Sequence, residues 1–148
     1  MPTLHLICGL PGSGKTTLAH RLERELPALR LTPDEWMARI VGDGHDEAAR
    51  ASVEAVQEDL AHRAMELGLD VILENGFWSK SERDGYRARA KAQGFGAKVH
   101  FLNVPVEELW RRLEQRNASL PPNTFRVTKE QLESWCRMFQ APTPEELT

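Results

Sequence analysis

Gly9-Leu10-Pro11-Gly12-Ser13-Gly14-Lys15-Thr16, followed by Thr17, is the stretch that decides how this chain is read. It satisfies G-x-x-x-x-G-K-S/T, and its flanks are the ones that give the motif meaning. The apolar run Thr3 to Cys8 before it reads as a strand, and Leu18, Leu22 and Leu26 after it share one face of a helix beginning near Lys15. Glycines let consecutive backbone N–H groups converge on phosphate oxygens, and the helix that follows points its positive end at them. Lys15 adds a point charge for the β- and γ-phosphates, and the Thr16 hydroxyl is placed to ligate Mg²⁺. The segment from Gly9 to Thr17 is therefore expected to cradle the phosphates of a nucleotide.

Outward from the cradle, apolar runs alternate with helix-period segments, the pattern of a parallel sheet with helical crossovers. Pro27 stops the first helix, and Ala28 to Leu31 is a second strand. Thr32-Pro33-Asp34-Glu35 predicts a capping-box helix start, with Glu35 as the box residue. Gly42-Asp43-Gly44 breaks that helix, and a long one from about Asp46 to Gly68 is expected to turn Val53, Val56, Leu60 and Leu67 inward. Asp70 to Glu74 is a third strand, Asn75 to Trp78 a loop, and Lys80 to Gln93 a basic helix. Lys98 to Val104 is the fourth strand, and Pro105 opens a helix reaching Arg116. A loop with Pro121 and Pro122 follows, then a last helix capped by Thr128 and Gln131. Thr143-Pro144-Glu145-Glu146 repeats the capping signal of Thr32 to Glu35 at the end of the chain. The expected organisation is one domain over 1–148, without a linker and with a small lid around 111–127.

The 148 residues are 41% hydrophobic and 28% charged, the balance of a globular protein, with a net charge of −3. That acidity argues against a non-specific nucleic-acid binder. No apolar run approaches the ~20 residues of a membrane span, and the N-terminus lacks the basic region of a signal peptide. Two isolated cysteines, Cys8 and Cys136, fit packed inert thiols in a reducing, cytoplasmic setting. The five histidines show no metal-ligand spacing, so no zinc site is expected.

Asp34 follows the second strand at the sheet's carboxyl edge, where open α/β sheets bind ligands. It suits a base for an acceptor hydroxyl, and equally a first-turn acid that compensates the helix dipole. Glu74 ends a buried strand near the cradle, the usual place for a carboxylate that holds Mg²⁺ or its waters. Asp70 opens the same strand at the far edge. Arg111, Arg112 and Arg116 lie beside the proline-containing loop and suit a lid over the transferring phosphoryl group, or a solvated basic helix end. Arg83, Arg87 and Arg89 read as a solvated face, with an anionic acceptor as the alternative for the first two. Trp36, Phe77 and Trp78 either line an acceptor pocket or pack in the core.

Ile7 to Thr17, Leu31-Thr32-Pro33-Asp34, Val71 to Trp78 and Leu109 to Asn117 together resemble the small AAA-type ATP-binding domains related to polynucleotide 5′-kinase and zeta toxin. They are more distantly similar to shikimate, gluconate and adenylate kinases. The resemblance implies a three-layer P-loop NTPase fold, its parallel sheet of four or five strands in the order 2-3-1-4 with helices on both faces. It implies ATP and Mg²⁺ as cofactors and an acceptor bound across from the P-loop. Asp34 then matches the position that activates the acceptor hydroxyl, Arg112 and Arg116 the lid arginines, and Glu74 a position usually held by aspartate. Polynucleotide kinases carry an arginine three positions after the catalytic aspartate; here that position is Met37. Relatives usually continue into a fifth strand, and this sequence ends before one. The expectation is a Mg²⁺- and ATP-dependent kinase, monomeric or homodimeric, acting on a small-molecule hydroxyl. A 5′-hydroxyl nucleic-acid kinase and an acceptor-free nucleotide-dependent module are the alternatives.

Overall fold

The computed structural model describes residues 1–122 and 124–148. Four strands form its centre: β1 (Thr3–Cys8), β2 (Ala28–Leu31), β3 (Asp70–Gly76) and β4 (Gly96–Phe101). All pair in parallel, in the order β2-β3-β1-β4, which is the expected 2-3-1-4. Around them run α1 (Lys15–Glu25), the short α2 (Pro33–Trp36), α3 (Glu47–Glu66), α4 (Lys80–Ala92), α5 (Val106–Ala118) and α6 (Lys129–Met138).

Alternation along β1 builds the layers. Leu4, Leu6 and Cys8 join Ala61, Ala64 and Met65 of α3 and Ala90 of α4 in the larger core. Ile7 faces the other way, onto Ala19 and Leu22 of α1. Both faces of the central strands are covered, so β1 and β3 read as continuous apolar runs rather than as alternating ones. α5 and α6 pack on each other through Leu109, Leu113 and Leu132. Burial and the Phe77 carbonyl 3.3 Å away keep the Cys8 thiol packed, and burial pushes its pKa up to about 11.

Four expectations need correction. The inward face of α3 carries Val53, Gln57, Ala61, Ala64 and Met65, while Val56, Leu60 and Leu67 are 50%, 42% and 65% exposed. Small alanines let the helix lie close to the sheet, so the bulkier aliphatics are left on its flank. β4 begins at Gly96 and ends at Phe101, short of Val104. Thr32 makes no side-chain cap; Glu35 instead accepts from Arg30 Nη2 at 2.9 Å, because an arginine on the neighbouring strand end competes better than a backbone N–H. Arg83 is neither solvated nor at an acceptor: it is fully buried.

The partner of Arg83 is Glu146, in the terminal turn Pro144–Leu147; Glu146 Oε2 accepts from Thr143 N at 2.7 Å, the half of the expected capping box that forms, while the Thr143 hydroxyl has no partner. Arg83 Nε donates to Glu146 Oε1 at 2.7 Å, with 0% and 2% of the two side chains exposed. Its Nη1 donates to the Phe77 carbonyl at 2.8 Å. Gln140 N donates to the Trp78 carbonyl at 2.8 Å. The last turn of the chain thus fixes the loop that follows β3. At the opposite end of the sheet, Asp70 accepts from Thr3 N at 3.0 Å and lies 3.1 Å from His5 Nε2. It takes no part in the site described next.

Candidate active site

The carboxyl ends of the strands converge on the loop between β1 and α1. Two glycines there answer specific demands. Gly12 has φ +85°, and a Cβ on it would stand 3.2 Å from the Leu109 carbonyl. Gly76 has φ +88°, and a Cβ on it would stand 3.2 Å from the Gly9 carbonyl. Gly9 N donates to the Gly76 carbonyl at 2.9 Å, so the cradle's floor is stitched to the end of β3. Trp78 Nε1 adds a 3.3 Å bond to the Gly9 carbonyl, and Phe77 completes the turn in the left-handed region at φ 51°. Gly14, also left-handed, stands at the N-cap of α1 and leaves the helix's first N–H groups free to face an anion.

Lys15 Nζ reaches back to the Leu10 carbonyl at 3.1 Å, and burial lowers its pKa while Asp34 and Glu74 oppose that shift. Thr16 Oγ1 donates to Glu74 Oε1 at 2.5 Å. Glu74 Oε2 is 3.4 Å from Arg30 Nη1, and Arg30 also holds Glu23 and Glu35. Burial works against the Arg30 charge, but the three carboxylates outweigh it and raise its pKa. Arg30 thereby anchors Glu74 against Thr16. The two oxygens make a pair suited to Mg²⁺, which takes few protein ligands and keeps its remaining positions for phosphates and water. The described residues contain no group of three or more His, Cys, Asp or Glu side chains that would hold a metal ion alone.

A cavity of about 960 Å³ opens over this floor, lined by Lys15, Thr16, Asp34, Glu74 and Arg116 among others. The expected lid arginines part company within it. Arg116 donates to the Phe125 carbonyl at 3.1 Å and lines the cavity. Burial lowers its pKa while the charge of Asp34 opposes. Arg112 donates to the Gly12 carbonyl at 3.1 Å, gripping the loop from outside, and Arg111 turns to Glu108 at 2.8 Å. Residue 123, inside the expected lid, lies outside the described residues. Phe125 lies flat on Gly44 and leaves no room there for a Cβ. Trp78 lines the cavity, while Phe77 is buried in the core at the cavity's edge and Trp36 packs against that core.

Sequence reasoning missed the wall facing the cradle. Asp34 accepts from Arg50 Nη2 at 2.9 Å, and the same nitrogen donates to the Gly44 carbonyl at 2.9 Å. Glu54, one turn further along α3, and Glu82, in the first turn of α4, also line the cavity. Burial pushes Glu54 up to about 7, with Glu82 adding repulsion, and burial likewise raises Glu82. The i, i+4 spacing of Arg50 and Glu54 was visible, but nothing in the sequence pointed that face at Asp34.

An AAA-domain family model matches residues 4–142. The chain belongs to this AAA-domain family. No curated protein matches it in sequence. Solved structures of the same fold include a chain of the Pnkp1/Rnl/Hen1 RNA repair complex, 20% identical with a TM-score of 0.71 over 93% of this chain. This AAA-domain chain spans only 43% of that neighbour's length. Chaetomium thermophilum Kti12 in complex with ADP-AlF3 is 24% identical with a TM-score of 0.69, covering 96% of this chain and 82% of that one. A gluconokinase from Sinorhizobium meliloti 1021 is 20% identical with a TM-score of 0.68, covering 97% and 78%. These neighbours share the P-loop kinase fold, and the family match supports a nucleotide-binding role. No helix among the described residues is long and apolar enough to cross a membrane.

Proposed function

We propose that this AAA-domain protein is an ATP-dependent kinase that moves the γ-phosphate to a hydroxyl of a small-molecule acceptor. The observation that carries this reading is the position of Asp34. It shares one cavity with Lys15 and Arg116, and its charge acts on both. A carboxylate in that relation to two phosphate-directed cations suits an acceptor anchor and proton receiver.

In the reaction, the bond from the γ-phosphorus to its bridging oxygen breaks and ADP leaves with that electron pair. The acceptor oxygen bonds to the γ-phosphorus, and its proton passes to the Asp34 carboxylate and then to water. The loop amides from Gly12 to Lys15 and the N-terminus of α1 bind the phosphate oxygens. Arg116, drawn toward the cavity by the segment it holds at Phe125, neutralises charge on the transferring group. Arg112 acts at one remove, by holding the loop at Gly12. Thr16 and Glu74 would hold Mg²⁺, which supplies charge neutralisation on the β- and γ-oxygens. Catalysis of this kind is positioning and electrostatics, so few side chains need be fixed.

The 5′-hydroxyl nucleic-acid alternative finds less support. Met37, at the position where polynucleotide kinases have a phosphate-holding arginine, is fully buried in the core, and Arg39 is exposed on another face. The test is turnover of γ-labelled ATP with Mg²⁺ and pooled acceptors: oligonucleotides, nucleosides, sugars and hydroxylated antibiotics. Label on a small-molecule pool, lost in Lys15→Ala and Asp34→Ala, is the expected result. Label on oligonucleotides alone would move the assignment to nucleic acid, and label only in free phosphate would make the protein an ATPase module.

A further inference from the structure

We infer that Arg30 is a positioning residue for Asp34: one guanidinium ties the Thr16–Glu74 pair of the cradle to the short turn that carries the acceptor carboxylate. This rests on the phosphotransfer reading above and assigns a part in it to a side chain that acts through two others. The donor groups of Arg30 go to three different elements. Nε meets Glu23 of α1 at 3.1 Å, Nη2 meets Glu35 of α2 at 2.9 Å, and Nη1 meets Glu74 of β3 at 3.4 Å. The Arg30 side chain is only 10% exposed, so these bonds are less screened than those of an ordinary surface pair. A guanidinium is planar and its nitrogens are fixed relative to one another, so the carboxylates it holds are fixed as well. Glu74 passes the hold on, since its other oxygen accepts from Thr16. The connection runs Thr16–Glu74–Arg30–Glu35, from the cradle wall to the residue beside Asp34.

The turn needs this hold. α2 is a single turn, too short to be stable by itself. Its Thr32 side-chain cap is not made, and the bond from Trp36 N to the Thr32 carbonyl is stretched to 3.5 Å. Pro33 and Met37 are buried and fix its inner side. Asp34 and Glu35 line the cavity, as does Arg30 itself.

Among the described residues the Asp34 carboxylate has one bond of its own, from Arg50 at 2.9 Å, and more than half of the Asp34 side chain is exposed. An open pair of that kind contributes little. The firmer tie is the less exposed one, from Arg30 through Glu35. Misplacing a reacting group by an ångström costs about a hundredfold in rate, so a tie that sets Asp34 against the cradle is felt in catalysis. Lysine in place of Arg30 would keep the charge, but its single nitrogen lacks the fork that reaches three carboxylates at once.

The test uses the full chain and two variants, Arg30→Lys, which loses the fork, and Glu35→Ala, which cuts only the branch to α2. Each is offered γ-labelled MgATP with pooled oligonucleotides, nucleosides, sugars and hydroxylated antibiotics, and acceptor-bound label and free phosphate are counted separately. Amide hydrogen exchange is followed by NMR at Trp36 and Met37, with Leu18 of α1, whose N–H bonds the Gly14 carbonyl, as the control. In both variants the ratio of acceptor-bound label to free phosphate should fall about tenfold, while MgATP still binds. Exchange at Trp36 and Met37 should quicken about tenfold, and that at Leu18 should hold. Full transfer in Arg30→Lys, or a fallen ratio with unchanged exchange at Trp36 and Met37, would overturn the inference. So would an equal loss of both products with a lowered melting temperature, the mark of general destabilisation. Faster exchange at Trp36 and Met37 in the variants of a protein whose wild type labels no acceptor would retain the hold of Arg30 on α2 while the phosphotransfer reading fails.

Discussion

The two walls of the cavity are built by different means. The cradle wall is nearly all backbone: consecutive residues from Gly9 to Thr16, stitched to Gly76, with Lys15 and Arg116 added. The facing wall is nearly all side chain, drawn from α2, α3 and α4, with Asp34, Glu54 and Glu82 brought together only by the fold. A backbone wall binds what is common to every nucleoside triphosphate, and its geometry is set by one contiguous motif. On the proposed reading, the side-chain wall meets what is particular to one acceptor and would carry the specificity. Arg83 supports the cavity from the core, since its bond to the Phe77 carbonyl holds the loop after β3, whose Trp78 lines it.

Removing that shared support should have the largest effect. Glu146→Ala leaves Arg83 buried and unpaired, and should cost about 3–5 kcal/mol in denaturant unfolding. The pair also sets an acid limit. Arg83 holds Glu146 down to about 2 from the usual 4.5, so its contribution is present above pH 4.5 and is lost as pH falls toward 2. Glu146→Gln should flatten that part of the stability profile; an unchanged acid limb would show that the pair does not carry it.

The remaining predictions divide the walls. Lys15→Ala should lower phosphoryl transfer about 10²–10³-fold, with calorimetric acceptor binding unchanged. Asp34→Asn should lower kcat about 10²-fold while the nucleotide still binds, since Lys15 and the loop amides remain. If Asp34→Asn weakened nucleotide binding as much as Lys15→Ala does, the division between walls would fail. The smallest effect is on stability. Glu54 rises to about 7 in the fold, so the folded protein retains a proton that the unfolded chain releases above about 4.5. Its charge therefore destabilises progressively from about pH 4.5 to 7. Glu54→Gln should gain melting temperature over the wild type across that window, and an equal difference at both ends would show that the burial penalty is absent.

What the sequence disclosed follows the same division. The cradle was legible because its chemistry sits in eight consecutive residues between a strand and a helix. The strand order was legible through the family resemblance, and the terminal turn at Thr143 through its local pattern. Glu74 was found because it ends an apolar strand beside the motif. Arg50, Glu54 and Glu82 escaped because their meaning depends on which way α3 and α4 turn. For α3 the aliphatic spacing misled, since alanines and Gln57, not Val56 and Leu60, face the sheet. Arg83 escaped for a related reason: a basic helix reads as solvated until a distant glutamate, 63 positions on, covers it. The divergence of Arg112 and Arg116 depends on which carbonyls the folded loops present.

The central claim is that the γ-phosphate goes to an acceptor held against Asp34. The direct measurement is the ratio of acceptor-bound label to free phosphate from γ-labelled ATP, in the wild type and in Asp34→Ala, at saturating nucleotide and Mg²⁺. The account predicts acceptor-bound label in the wild type and its collapse in the variant, with ATP still bound. A wild type that releases only free phosphate, at a rate Asp34→Ala does not change, would contradict it.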